Sequence, residues 1–586
     1  MKKLTLTAMA ALALVLTFTQ CKKETVTPVA DEGIFVTLNA TYGQSGEKTD
    51  FTPGDGSFVW SSGVEEYIFV GGSQHEGNFG VLQGTGNGNS SMSFSGYLTS
   101  MPENGETLHF FYLGKGTSTA KSTLDFSNQD GTLENLTNNH VAIGHTTFND
   151  TFEFDVTFSM MVSFAYFNTS AFVNSSSNAE TVYLQGDDVY SSATVDYQNG
   201  TITGNANESI NIGQAASGVY VALIPSTTSG TTLNFRSFSK TASMTFLSGI
   251  QAGKYYSKKN GNALDVEASP ATTNTVNLAS LTSDYEAKSG DILTGTLSGN
   301  HKISIANNAI VMLSDVDITC LTDGSEYAGI TCSGNANIIL DGTNNVVGGV
   351  FFLEVNDNPY FQMRFHYGQY PGIYIPSGYT LTIDGNGTLN ASSAYANASR
   401  GDNYECCAAG IGGGNSLNCG NIVINGGTIV AKGGGQYGSA GIGAGTVLDI
   451  GAGTGAGTEA SCGDITITGG NVTATGGAGA AGIGSGTVIS SCGNILISGG
   501  TVTATGGNGT WGAGAGIGSG QGYGIGSFSS CGDITIRSTV TQVTAKRGRA
   551  TKSVGDNANS IGAGGSDGYS TCGTVTIENG ANVIQN

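Results

Sequence analysis

Between residues 351 and 374 the chain gathers Phe351, Phe352, Tyr360, Phe361, Phe365, Tyr367, Tyr370 and Tyr374 around Arg364 and His366. Aromatic faces stack on sugar rings, and a guanidinium in the same patch can hold a hydroxyl or a carboxylate. The same rings could instead cover an open end of the fold or pack on a neighbouring domain. A second group, Lys546, Arg547 and Arg549, is a basic cluster in a chain whose formal net charge is −22. It suits an anionic sugar, or else a solvated loop. Asn421, Asp464, Asn494 and Asp533 recur at one repeat position. Their oxygens can hydrogen-bond along their own stack or hold calcium, with Asp464 and Asp533 as the candidate metal ligands. No other cofactor is implied.

Catalysis asks for more than these residues offer. Elimination from a uronic acid needs a neutralising cation and a Lys or Arg base within reach of the sugar α-proton. No acidic trio facing an Arg is visible, and His75, His109, His140, His145, His301 and His366 are scattered. HExxH, P-loop and GxSxG motifs in a strand–turn–helix context are missing. The expectation is a protein without catalytic residues. With 22 basic against 44 acidic side chains, the chain also lacks the clustered cations that phosphate binding requires, so nucleic acid is not a partner.

The elements that must carry these residues are repeats. Cys419, Cys462, Cys492, Cys531 and Cys572 each open a Cys-Gly step, spaced 43, 30, 39 and 41 residues apart. In the second copy Ile465 and Ile467 alternate with Thr466 and Thr468, and Val472 and Ala474 with Thr473 and Thr475. Ala481-Gly482-Ile483 then reads as a third side. Period-2 alternation puts the aliphatic residues inside and Thr outside. Gly469-Gly470 and Gly476-Gly477 supply corners that other residues take at a cost. A constant coil with loops inserted between its sides is the signature of a solenoid. The cysteines read as an internal column of stacked small apolar residues rather than disulfides. Earlier stretches fit the same scheme: Ala309-Ile310-Val311-Met312-Leu313, Asn337-Ile338-Ile339-Leu340 and Thr380-Leu381-Thr382-Ile383.

With Asp317-Ile318-Thr319 and Pro371-Gly372-Ile373-Tyr374-Ile375-Pro376, residues 289–586 resemble a family of cell-surface carbohydrate-binding β-helices built on a polysaccharide-lyase fold. That resemblance implies a polysaccharide ligand and a link to calcium.

The first half is patterned differently. Short apolar or alternating runs such as Tyr67-Ile68-Phe69-Val70 and Tyr220-Val221-Ala222-Leu223-Ile224 are separated by Gly, Asn, Asp and Ser, which predicts packed sandwiches. Phe58-Val59-Trp60, Gly77-Asn78-Phe79-Gly80, Ser93-Phe94-Ser95-Gly96 and Ala252-Gly253-Lys254-Tyr255-Tyr256, in that order, resemble the fimbrillin family of lipoprotein pilins and related surface proteins. The resemblance implies two β-sandwiches, surface display and fimbrial subunits as partners. The first Arg is Arg236, so maturation by Arg-specific cleavage near the start is not expected.

Lys2 and Lys3 precede an apolar run from Leu4 to Phe18 that ends at Cys21. This resembles a bacterial lipoprotein signal, which implies lipidation of Cys21 and anchoring to outer-membrane lipid. The whole chain is therefore expected to be all-β: signal 1–21, tether 22–32, β-sandwiches at 33–150 and 151–265, linker 266–288, and a right-handed parallel β-helix at 289–586. The function that follows is a non-catalytic surface lipoprotein binding a polysaccharide or surface glycan through the β-helix. The alternatives are a fimbrial tip or accessory adhesin, and a polysaccharide lyase or hydrolase.

Overall fold

The computed structural model describes residues 33–42, 59–206, 209–226, 228–319, 326–349, 351–358, 361–394, 404–435, 438–447, 459–510, 512–522, 528–551, 558–565 and 569–586, with the backbone alone at 206 and over 351–358, 361–368 and 404–406. Cys21 and the 22–32 tether lie outside these residues. Among the described residues the fold is all-β apart from one short α-helix, Leu133–Asn138, and one 3-10 turn. No helix among the described residues is long and apolar enough to cross a membrane. Two compact units form: Met1–Ser170 with Leu184–Asn234 and Ser243–Val266, and Ala171–Tyr183 with Phe235–Ala242 and Glu267–Asn586.

In the first unit, seven strands close into a barrel in the order Ile34–Tyr42, Ser91–Leu98, His75–Thr85, Glu65–Gly72, Thr107–Tyr112, Ala142–Thr147 and Glu153–Met160. A two-sheet sandwich confined to 33–150 was expected. The difference arises because Ile34–Tyr42 pairs on both edges, antiparallel with Ser91–Leu98 and parallel with Glu153–Met160, a strand lying beyond 150. The alternation of Glu153–Met160 buries Phe154, Val156 and Phe158 inside, against Trp60, Phe94 and Tyr112. Each such side chain contributes roughly 1.5–3 kcal/mol by leaving water. Outward residues Phe69, Phe111 and Ile143 pack in a second cluster with Phe126, Phe164 and Tyr197. The sheets of the following region recruit Thr123–Asp125 to Ser192–Asp196, and join Ser163–Asn168 to Val219–Leu223 and Tyr255–Tyr256.

Among its described residues the second unit is mainly a stack of parallel strands in sheets of seventeen, nine and four. It begins at Asn274–Asn277, inside the stretch that reads as a linker. The register places like on like: Val311, Ile338, Ile383, Ile424, Ile467, Ile497 and Ile536 form one column, all fully buried. The coils that start at Ala460, Ser490 and Ser529 each carry four strands, not the three that alternation predicts. The fourth is the three residues that end in cysteine, such as Ser490–Cys492 and Ser529–Cys531. Three residues are too few to show a period. Outward positions differ along the stack. Ile310 is buried with Tyr183 and Phe238, which come from the two segments 171–183 and 235–242, whereas Thr466 and Thr535 in the same row are half-exposed.

The cysteine column is not purely apolar filling. Cys419 and Cys462 are disulfide-bonded, with Cα atoms 4.5 Å apart. Stacking in register brings neighbouring cysteines to bonding separation, so the column is more than apolar filling.

Candidate binding edge of the parallel stack

Val347, Ser392, Lys432, Thr475, Thr505 and Lys546 form a column at the ends of equivalent strands. At every level the chain leaves the coil at this point and re-enters at Ile373, Ile411, Ile442, Ile483, Ile517 or Ile561. The excursions therefore share one edge. Most of the sequence-predicted aromatic group lies in the excursion that follows Val347, and the basic cluster opens the one that ends at Ile561. Val347 and Lys546 are five coil steps apart, about 24 Å at about 4.8 Å per step. The structure thus places both groups along one edge without bringing them into one pocket.

In the first excursion Phe351–Asn358 and Phe361–Gly368 pair antiparallel, setting Arg364 opposite Glu354, Phe365 opposite Leu353, His366 opposite Phe352 and Tyr367 opposite Phe351. His366 also adjoins Tyr404 on a parallel third strand, Tyr404–Cys406. Tyr360 lies outside the described residues. Tyr370 is half-buried, and burial, with Glu326 nearby, pushes its phenol up. Tyr374 sits in the stack itself, half-buried against the core, and donates its hydroxyl to the Asn418 carbonyl at 3.0 Å.

The basic cluster borders a groove. A cavity of about 330 Å³ is lined by Lys432, Thr475, Gly477, Ala478, Gly507 and Asn508, among other corner residues. Lys432 is exposed at one end. Beyond the other end Lys546, Arg547 and Arg549 are exposed, and the Arg549 backbone N–H donates to Asn508 Oδ1 at 2.7 Å. Arg547 also donates to the Ala558 carbonyl at 3.3 Å. Among the described residues no carboxylate forms an ion pair with these four cations. The floor is backbone because the corners are glycine. A Cβ on Gly477 would lie 1.4 Å from the Gly434 oxygen, and one on Gly507 would lie 1.6 Å from the Gly477 oxygen. The preceding corner uses glycine for another reason: Gly470 has φ +79°, a left-handed conformation.

The Asn/Asp column is a ladder. Asn421 Oδ1 accepts from the Asp464 N–H at 2.9 Å, Asp464 Oδ1 from Asn494 at 2.7 Å, Asn494 Oδ1 from Asp533 at 2.9 Å, and Asp533 Oδ1 from Thr574 at 2.7 Å. Asp464 and Asp533 are separated by the Asn494 coil, about 10 Å of stack, so they do not share one calcium. Among the described residues no group of three His, Cys, Asp or Glu side chains is placed to hold a metal ion. Asn494→Ala removes the acceptor for the Asp533 amide at an exposed site. It is expected to cost about 1 kcal/mol, with Asn494→Asp retaining stability, as read by denaturant titration.

Sequence reasoning missed a cluster in the barrel unit. His109 and His145 face each other across paired strands with Nδ1 atoms 2.7 Å apart. Burial holds both imidazoles below their ordinary value, and the neighbouring His145 adds to the effect on His109. His75 lies 2.8 Å from Glu106. Burial pushes the Glu106 carboxyl up, but hydrogen bonds from His75 and from the Gln74 and Glu103 amides leave it below the usual value. Their separation in sequence gave no signal.

No family model and no curated protein matches the chain. Among solved structures it is similar to a putative cell adhesion protein from Bacteroides uniformis, at 15% identity and TM-score 0.24, covering 40% of this chain and 96% of that one. It is also similar to the tip fimbrial protein Mfa3 from Porphyromonas gingivalis, at 10% identity and TM-score 0.21, covering 36% and 81%. A putative cell adhesion protein from Parabacteroides distasonis shows 8% identity and TM-score 0.21, covering 41% and 96%. Likeness of this size assigns neither fold nor function.

Proposed function

We propose that this protein is a non-catalytic cell-surface adhesin that holds an anionic glycan along the excursion edge of its parallel stack. The stack is read as a right-handed β-helix, since parallel crossovers take that hand in nearly all known cases. Lipidation at Cys21 would anchor it to the outer membrane, and a fimbrial tip or accessory subunit is the matching context.

The observation that carries the reading is the glycine-floored groove with Lys432 at one end and Lys546, Arg547 and Arg549 beyond the other. An extended anionic chain crossing the coils would meet a positive charge at each end and backbone between. Lys432 is the one titratable side chain among the lining residues, so a lyase would have to use it as the base, and the product assay below tests that alternative.

The test is an array of sulfated, uronate-containing and neutral glycans, with and without calcium, beside an assay for unsaturated uronate products. Anionic glycans are expected to bind and to weaken with salt. Lys432→Ala and Arg549→Ala should each reduce affinity about three- to tenfold, in keeping with about 1 kcal/mol per exposed charge contact. Equal binding of neutral glycans, or release of unsaturated products, overturns the reading.

A further inference from the structure

The cysteines of the stack stand one above another. Cys419 and Cys462 are bonded, and Cys462, Cys492, Cys531 and Cys572 follow in parallel register on successive short strands. In-register neighbours are about 4.8 Å apart, inside the roughly 4.4–6.8 Å between Cα atoms that a disulfide spans. Every adjacent pair can therefore bond, but five cysteines in a line can hold only two bonds at once. With the first on Cys419–Cys462, the second falls on Cys492–Cys531 or on Cys531–Cys572.

The sulfur positions distinguish the two. Cys531 Sγ and Cys572 Sγ are 3.4 Å apart. Cys492 and Cys572 each direct the thiol at a glycine carbonyl of the preceding coil, Gly463 at 3.7 Å and Gly532 at 3.6 Å, so it is the close approach of the Cys531 and Cys572 sulfurs that separates the two pairings. We infer that Cys531 and Cys572 form a second inter-coil disulfide, which staples the last coil to the stack and leaves Cys492 as a buried thiol between two bonded pairs.

The coil that carries Cys572 is less covered than the coil that carries Cys531. Val575, Ile577 and Ile584 are 40%, 37% and 41% exposed, whereas Ile534 and Ile536 one coil earlier are fully buried. Packing holds this coil less firmly than those before it.

The chemistry requires an oxidant, here an exogenous small-molecule disulfide such as oxidised glutathione. Cys572 is the only half-exposed cysteine of the described free thiols, so it meets the oxidant first. Its hydrogen bond with Cys531 holds the Cys572 thiol below its ordinary value, while the same bond and burial push Cys531 up. The Cys572 thiolate attacks the oxidant disulfide and expels one thiolate. The Cys531 sulfur, giving up its proton to solvent, then attacks the Cys572 sulfur of the mixed disulfide and expels the second. Two protein thiols become one disulfide, and one oxidant disulfide becomes two thiols.

The test uses the full chain. It is equilibrated with oxidised glutathione, denatured in the presence of an alkylating agent, and digested with trypsin and chymotrypsin. Cleavage after Phe528, Arg537 and Tyr569 releases 529–537 and 570–586, and parts Cys531 from Cys492. Mass spectrometry should find 529–537 linked to 570–586, with Cys492 alkylated. In hydrogen exchange, oxidation should slow the amides of 571–584 at least tenfold, an effect that both Cys572→Ser and Cys572→Ala abolish. A Cys492–Cys531 link, or Cys531 and Cys572 both alkylated after oxidation, overturns the inference. Neither outcome touches glycan binding, which is read separately.

Discussion

Acidification from pH 7 to pH 4 will destabilise the barrel unit by roughly 3 kcal/mol through His140 alone. His140 is fully buried among Tyr42, Tyr112 and Phe164, with ring centroids 5.6, 5.3 and 6.1 Å away. Burial pushes its imidazole down to about 3, against about 6.5 in an unfolded chain. Between those values the unfolded state binds a proton that the folded state does not. Stability therefore rises with pH across this window. The contribution is complete above pH 6.5 and is lost progressively as the pH falls toward 3. His109 and His145, also held low by burial, act in the same direction. Glu106, held below its ordinary value, adds its loss at still lower pH. Denaturant titrations at stepped pH, followed by the fluorescence of the buried Trp60 in a Trp511→Phe background, will show the slope. In His140→Leu the slope between pH 4 and 6.5 should flatten whatever the variant's starting stability. An unchanged slope would mean that His140 is not the titrating group.

Gly477→Ala should cost about 3 kcal/mol or more, the upper end of what over-packing does. The added Cβ would lie 1.4 Å from the Gly434 oxygen and 2.5 Å from its carbon. Both are backbone atoms of the neighbouring coil and cannot rotate away. Gly507 and Gly548 continue the same stack, at 1.6 and 2.0 Å from the oxygen beneath each. A displaced corner would therefore disturb several coils. Gly580→Ala provides the contrast: its φ of +91° is strained for alanine, but nothing lies within 4 Å. That change should cost only about 1–2 kcal/mol. Hydrogen exchange at Ile465–Ile467 and Ile495–Ile497 will read the difference, with strong deprotection in Gly477→Ala and near-native rates in Gly580→Ala. Equal protection in the two variants would mean that the corners are not in close contact.

The Cys-Gly repeats show why part of the fold is legible in the sequence. Ile465, Ile467, Val472 and Ala474 are all fully buried, and the intervening Thr466, Thr473 and Thr475 face outward, as alternation alone implies. The ladder of Asn421, Asp464, Asn494 and Asp533 was also visible as one repeat position, because a fixed period carries each residue to the same place in the next coil. The two glycine corners were recognised, but not that they serve different needs. One requires a left-handed φ and the other a contact between coils, and composition does not separate the two.

The edge itself was only half legible. Lys546, Arg547 and Arg549 stood out by charge, yet Lys432, in the same column and exposed at the groove, sits three coils earlier and looks unremarkable in sequence. Its relation to Lys546 exists only once the coils are stacked.

By itself the sequence determined the parts set by local rules: strands from period-2 alternation, corners from glycine, and stacking from repetition. Tertiary structure alone decided the rest. Closure of the barrel depends on Ile34–Tyr42 finding Glu153–Met160 across more than a hundred residues. The opposition of His109 and His145, the Cys419–Cys462 bond and the shared edge of the excursions likewise depend on which strand lies beside which. A strand's own side chains state which face is buried, but its hydrogen-bonding edges are the same for every sequence. The choice of partner therefore follows from the packing of the whole unit.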